Sequence, residues 1–356
     1  MSRTSDTLVV LPTCRGYTIP MQSIKVDWCV VHDQREWPVE VEDNAGRIRG
    51  GPTAYGAGSN DHGAVVTTPR LELDPRPNGD GTTESGAGEP DTTGDRCSAG
   101  TVQHIVAPRP EVYGERTSAI RQAGLDYGYA EGYQYVLTVD DDCTLPLDWA
   151  EQHVKALGGL VGVVSNTVPG HVIRGVPAGY RIPVGISHGL WSGILDYPAW
   201  WTLANSPDPI ILPNEGWKPI KAPFPLCGMN VGFRREVLPA VFFQHTFRRH
   251  DDIFAGWVAQ AACTLHGYGF VNGGAVVQHD RASDAEENLK KEAPGDRVNG
   301  ALVRHLQGFQ QAWHDMAGTF GKLAAHVGRL RVGHPESDRL IQEYAASMVT
   351  WQRRNR

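Results

Sequence analysis

None of the six cysteines of this 356-residue chain forms a Cys-x-x-Cys pair. That spacing is what a zinc ribbon or a thioredoxin-type redox centre requires, so both are excluded. No run approaches the roughly 18 to 20 consecutive apolar residues that a membrane-spanning helix needs. No apolar stretch follows a basic N-terminal region either, so no secretory signal is expected. The expectation is a cytoplasmic chain with reduced thiols. Positive charge is in deficit: 33 Lys and Arg against 40 Asp and Glu give a formal net charge of -7. A nucleic-acid binder that neutralises many phosphates carries the opposite balance. The closest approach to a dinucleotide-binding turn is Gly267-Tyr268-Gly269, with Asn272 where the third glycine belongs, so no flavin is expected.

What remains is an ordinary globular composition, 40% hydrophobic and 21% charged, able to bury a sizeable core. Short β-rich apolar runs end in breakers or acids: Thr7 to Leu11 before Pro12, Trp28 to Val31 before His32-Asp33, Tyr135 to Val139 before Asp140, and Leu160 to Val164. Glu115 to Ala130 and Asp148 to Leu157 read as helices between them. Alternating strands and helices predict an α/β fold with a mostly parallel sheet and flanking helices. In such sheets ligands bind at the carboxyl ends of the strands, where Asp33 and Asp140 fall.

Residues from about Asp43 to Gly100 are dominated by Gly, Pro, Thr, Ser and Asp. That composition cannot bury enough apolar area to offset its ordering entropy, which predicts a flexible insertion within the domain. After about residue 300 the pattern turns helical. Leu302, Leu306, Phe309, Trp313, Met316, Phe320, Leu323, Val327 and Leu330 follow steps of four and three, up to Gly333 and Pro335. A second helix carries Leu340, Tyr344, Met348 and Trp351 on one face. Two readings stay open for these stripes: a hairpin packed on its own domain, or the contact of a homo-oligomer. The division expected is a catalytic domain over 1–300 and a helical region over 301–356.

The chemistry centres on Asp140-Asp141-Asp142. Adjacent carboxylates at a strand end repel one another unless a cation neutralises them, and they are hard ligands suited to Mg²⁺ or Mn²⁺ bridging phosphates. A solvated acidic turn capping the next helix is the alternative. Arg121, on the preceding helix, is a forked donor able to hold a diphosphate, or else a solvated helix charge.

Further segments are more specific: Ser187-His188-Gly189-Leu190-Trp191, Asp196-Tyr197, Phe224-Pro225-Leu226-Cys227-Gly228-Met229-Asn230, Arg249-His250-Asp251-Asp252-Ile253-Phe254-Ala255-Gly256-Trp257, and His279-Asp280-Arg281-Ala282-Ser283. With the aspartate triplet, they resemble in order the reversibly glycosylated polypeptides, the UDP-arabinopyranose mutase family. The resemblance runs from Leu11-Pro12-Thr13 to about Trp351, apart from the insertion. It implies a glycosyltransferase-A-like fold and a flavin-independent enzyme that interconverts pyranose and furanose forms of a nucleotide sugar, UDP-arabinose-like or a GDP-hexose. A glycosyltransferase using a separate acceptor is the alternative, and a non-catalytic scaffold a more distant one.

By the same analogy Asp140 and Asp142 hold the divalent cation, with His279 as third ligand. Asp251 and Asp252 stand where related transferases place a catalytic or acceptor-side carboxylate; a helix cap is their bland alternative. Arg174 and Arg181 match two arginines of the family, given catalytic roles here, with a structural ion pair as the alternative. Thr13, Arg15, Asp33, Arg121, His188, Trp191 and Asn230 make up the candidate substrate-binding set. Trp191, Tyr197 and Trp257 are candidates for an apolar wall. The plant proteins carry a self-glycosylated arginine seven positions before the Arg174 segment; this chain has Thr167 there.

The composition of the insertion generates a test. Deleting Pro75 to Gly94 joins two loop ends and changes closure entropy little, so the melting temperature should shift by no more than a few degrees. A collapse on deletion would show an ordered element there.

Overall fold

The computed structural model describes residues 5–13, 22, 25–32, 41–43, 46–48, 65–67, 102–106, 117–162, 174, 181–279 and 284–354. Its strands are β1 (Thr7–Thr13), β2 (Asp27–His32), β3 (Val41–Asp43), β4 (Gly46–Ile48), β5 (Val65–Thr67), β6 (Val102–Val106), β7 (Tyr135–Val139), β8 (Cys143–Thr144), β9 (Leu160–Gly162), β10 (Arg181–His188), β11 (Trp191–Gly193), β12 (Lys218–Ile220), β13 (Asn230–Arg234), β14 (Gly269–Asn272) and β15 (Val277–His279). The helices are α1 (Thr117–Ala130), α2 (Trp149–Leu157), α3 (Ala199–Asn205), α4 (Asp251–Leu265), α5 (Ala285–Gln307), α6 (Met316–Val327) and α7 (Pro335–Arg354).

The large sheet runs in the order β12-β14-β10-β13-β7-β1-β2-β6-β5, with β9 paired to β10 off this path. β7, β1, β2 and β6 form a parallel block. β13 is inserted antiparallel between β7 and β10, and β14 runs parallel to β10 on its far side. This is an α/β, glycosyltransferase-A-like architecture. A second, three-stranded sheet, β11-β15-β8, stands beside the main one.

Period-two alternation sorts the strand residues to two faces. Leu8, Val10, Cys29, Val31, Val136, Val231 and Phe233 enter one buried cluster. Val9, Leu11, Trp28, Val30, Leu137 and Val139 enter another, under Trp149, Ala150 and Leu157 of α2. α1 covers the first face at very short range: a Cβ on Gly124 would lie 2.3 Å from Val10. Only glycine permits that approach, and it seats Arg121, three residues earlier on the helix, against the strand ends.

The C-terminal helices belong to the same first cluster, through Val298, Leu302, Phe320, Tyr344 and Trp351. The apolar stripe is therefore largely spent inside the chain. It is also not one helix. α5 ends at Gln307, and α6 begins after Asp315, whose side chain accepts the Gly318 N–H as an N-cap. The regular spacing persisted because both helices fold onto one core. Trp313, in the break, is 44% exposed.

Two other expectations change. The run at Leu160 is β9, antiparallel to β10, and not a further parallel strand. The insertion lies mostly outside the described residues, but part of it, β5, pairs antiparallel with β6 at the sheet edge.

The docking of α7 is testable. Trp351 stacks on Phe242 at 5.0 Å and donates its indole N–H to buried Asp126 at 3.1 Å. Trp351→Ala should lower unfolding free energy by about 3–5 kcal/mol in denaturant titration. A loss well under 1 kcal/mol, on the order of a surface substitution, would contradict this packing.

Candidate active site

The strand register brings the chemistry to one edge. Asn230, at the start of β13, pairs with Val139 at the end of β7, and His188 at the end of β10 pairs with Val231 and Asn272. The carboxyl ends of β7, β10 and β14 thus meet there, with Asp140-Asp141-Asp142 turning into β8.

Arg121, 4% exposed, reaches Asp140 in an ion pair, and its guanidinium lies 5.2 Å over the Phe243 ring. Burial pulls its pKa down, but Asp140, Asp251 and Asp252 outweigh that and move it above the ordinary arginine value. Gly228 makes room for it, since a Cβ there would sit 2.7 Å from the guanidinium.

α4 opens with Asp251 and Asp252. Ser118 of α1 donates to Asp251, and the Gly228 N–H donates to Asp252 Oδ2 at 2.9 Å. Asp252 also accepts the Ile253 N–H at 2.8 Å, within the first turn of a helix whose N-cap residue is His250. Burial, then Asp251, push the Asp252 carboxyl from 3.8 up to about 7. A carboxyl at that value exchanges protons at neutral pH.

His279 Nε2 lies 3.7 Å from Asp142 Oδ1, and that carboxylate holds the imidazole above its usual pKa. Two donors each about 2.1 Å from one ion at right angles stand about 3 Å apart, so this pair, at 3.7 Å, would draw slightly closer to share a divalent cation. Asp140 adjoins it but is drawn to Arg121. Among the described residues no group of three or more His, Cys, Asp or Glu side chains is gathered for a metal.

Beside His279 opens a cavity of about 410 Å³, lined by Asp196, Tyr197, Thr202, Met229, Arg249 and Asn288 among others. Arg249 is tied to Asp196 at 2.7 Å and to Glu292 at 3.0 Å. Neither Arg249 nor Asp196 was assigned a role from sequence. The signal was there, since Arg249 stands two residues before the Asp251-Asp252 pair.

Several expected residues are placed elsewhere or already engaged. Asn230 is fully buried with all four amide positions taken: its Oδ1 accepts from Trp149 and His153, and its Nδ2 donates to Leu190 and Ala275. It has no capacity left for substrate. His188 Nε2 accepts the Cys227 N–H at 3.0 Å, and burial pushes its pKa down to about 4, so it is a neutral structural imidazole. Trp191 packs against the second cluster, 6.2 Å from the His188 ring. Trp257 is core packing, stacked on Phe254 at 5.5 Å, whereas Tyr197 does line the cavity. Arg181 is exposed at the opposite end of β10 from His188, roughly 20 Å away at strand rise. Arg174 is an exposed turn residue. Arg15, Asp33 and Thr167 lie outside the described residues, as does the side chain of Thr13.

The protein family described as "Reversibly glycosylated polypeptide" matches residues 102–355. A probable UDP-arabinopyranose mutase 1 of Pisum sativum is 31% identical over 226 residues, 54% of this chain and 59% of that protein's length. UDP-arabinopyranose mutase 1 of Oryza sativa subsp. japonica is 30% identical over 284 residues, covering 70% of this chain and 74% of its own. Probable UDP-arabinopyranose mutase 4 of Arabidopsis thaliana is 28% identical over 282 residues, again 70% and 74%. No helix of the described residues is long and apolar enough to cross a membrane.

The Asp252 shift fixes the sign of a pH effect. Its folded-state value lies above its usual one, so the folded chain holds the proton more tightly. That contribution to stability is complete below the unfolded pKa and is lost as pH rises through about 7. In metal-free protein, Asp252→Asn should therefore gain on the wild type as pH rises from about 4 to about 7, by roughly 1–3 kcal/mol after allowing for partial exposure. Urea titrations across that range check it, and parallel curves for the two proteins would contradict it.

Proposed function

The chain belongs to the reversibly glycosylated polypeptide family, and from that premise we propose that it is a cytoplasmic, metal-dependent, flavin-independent mutase. It interconverts pyranose and furanose forms of a nucleotide sugar, a UDP-pentose of the arabinose type before a GDP-hexose. The observation that carries this reading is the convergence at one sheet edge of buried Arg121, the aspartate triplet with His279, and a carboxyl poised near neutrality, beside a cavity of about 410 Å³.

The reaction breaks the anomeric C–O bond to the diphosphate and reforms it after the ring oxygen has changed. One ring hydroxyl loses its proton as it becomes the ring oxygen, and the former ring oxygen gains one. Charge builds negatively on the leaving diphosphate and positively on the sugar. Asp140, Asp142 and His279 would hold a Mn²⁺ or Mg²⁺, which supplies charge neutralisation at the diphosphate. Arg121 adds a fixed positive charge at the same edge, needing no reorganisation as the bond breaks. Asp252, near neutrality in its pKa, is suited to take the proton from one hydroxyl and return it to the other. The cavity gives the sugar room to turn while the diphosphate stays held. Arg174 remains a proposed diphosphate contact.

Incubation with Mn²⁺ and a panel of UDP- and GDP-sugars tests the reading. The expected product is the furanose form still attached to its nucleotide, with turnover lost on chelation. Asp142→Ala should lose roughly 100-fold or more in rate, about 3 kcal/mol of barrier, with the fold retained. Release of free nucleotide without any furanose product would replace the mutase by a transferase, and full turnover after exhaustive chelation would remove the metal.

A further inference from the structure

His279 sits on β15, a strand of three residues between β11 and β8 in the small sheet, where it pairs with Cys143, the residue after Asp142. That pairing brings His279 to Asp142, and the turn leading into β15 helps hold its register. The turn leading into it, from β14, includes Ala275 at φ 51°, a left-handed conformation that side chains disfavour. Both backbone groups of Ala275 are held by side chains from other elements. Its N–H donates to Gln152 Oε1 of α2 at 2.8 Å, and its carbonyl accepts from Asn230 Nδ2 at 2.7 Å. The other Asn230 hydrogen goes to the Leu190 carbonyl at 2.8 Å, just before β11, and Val277 N–H donates to the same carbonyl at 3.0 Å. One amide group thus ties the start of β11 to the lead into β15.

The amide orientation is settled by its neighbours. Trp149 Nε1 and His153 Nε2 both donate to Asn230 Oδ1, each at 2.9 Å, and His153 Nδ1 accepts from the Ser187 hydroxyl at 2.7 Å. Trp149, His153, Ser187 and Asn230 are all fully buried. Beyond the turn, Gly193 of β11 lets β15 approach: a Cβ there would sit 2.0 Å from the His279 carbonyl oxygen.

We infer that Gln152 and Asn230 are positioning residues: by holding Ala275 from two sides they set His279 against Asp142. The Asn230 amide and the His153 imidazole are buried polar groups whose burial is offset by the bonds they make, and the backbone that Asn230 and Gln152 hold leads directly to His279. The inference rests on the reading of Asp142 and His279 as ligands of a divalent cation.

Gln152 is the better probe, because it is only half-buried and its Oε1 reaches, besides Ala275, only the exposed Asn214 amide at 2.9 Å among the described residues. Gln152→Met keeps the shape and removes the acceptor; Gln152→Glu keeps the acceptor. Mn²⁺ affinity is measured by calorimetry, and amide exchange of residues 273–279 by mass spectrometry on metal-free protein. Outer residues that orient a metal ligand affect affinity by roughly tenfold or more. Gln152→Met should therefore bind Mn²⁺ at least tenfold more weakly and exchange faster over 273–279, while Gln152→Glu follows the wild type in both and all three melt alike. Wild-type affinity in Gln152→Met, or unchanged exchange, overturns the inference alone. Collapsed melting of Gln152→Met makes the contact a folding element and overturns it too. Wild-type protein that binds no Mn²⁺ overturns the metal reading and this inference together.

Discussion

The site depends on a surplus of carboxylate held by one buried guanidinium. Asp140, Asp141, Asp142, Asp251 and Asp252 crowd one sheet edge, and Arg121 is the cation that the described structure places among them. Burial first, and then the like charge of Asp251, push the Asp252 carboxyl up to about 7. An anionic diphosphate entering such a cluster needs further positive charge, and the proposed divalent cation at the Asp142–His279 pair supplies it.

The fold serves that edge through short connections. α1 lies against β1 by way of Gly124 and delivers Arg121, while Gly228 stays bare so that the guanidinium can pass. The buried network on the other face, from Trp149 and His153 through Asn230, fixes the loops that carry β11 and β15. The C-terminal helices close the first face, and Trp351 is bonded to Asp126, five residues along α1 from Arg121. A change in α7 therefore reaches the helix that carries the site's buried cation.

Much of this was legible in the sequence because it is local. The apolar runs ending in Asp140 and His32, the helix before the triplet and the stripes after residue 300 are written in neighbouring residues. The pieces that escaped are those decided at a distance. β6 and β5 border or interrupt a polar, glycine-rich stretch whose composition hides them. The stripe from Leu302 to Leu330 reads as one helix because two helices facing one core keep the same spacing, and only the Asp315 cap marks the break. Asn230 reads as a substrate residue until its partners are known, and they lie 81, 77, 40 and 45 residues away. Arg181 is separated from His188 only by strand length, which motif order does not convey.

The central claim is that the acidic edge holds a nucleotide diphosphate through a divalent cation. Binding of UDP, measured by calorimetry with and without Mn²⁺, tests it most directly, because linkage requires each ligand to strengthen the other by the same factor. The account predicts that Mn²⁺ tightens UDP binding by roughly tenfold or more, about 1.4 kcal/mol of coupling, and that UDP tightens Mn²⁺ binding equally. UDP binding of equal strength in chelator and in Mn²⁺ would contradict it.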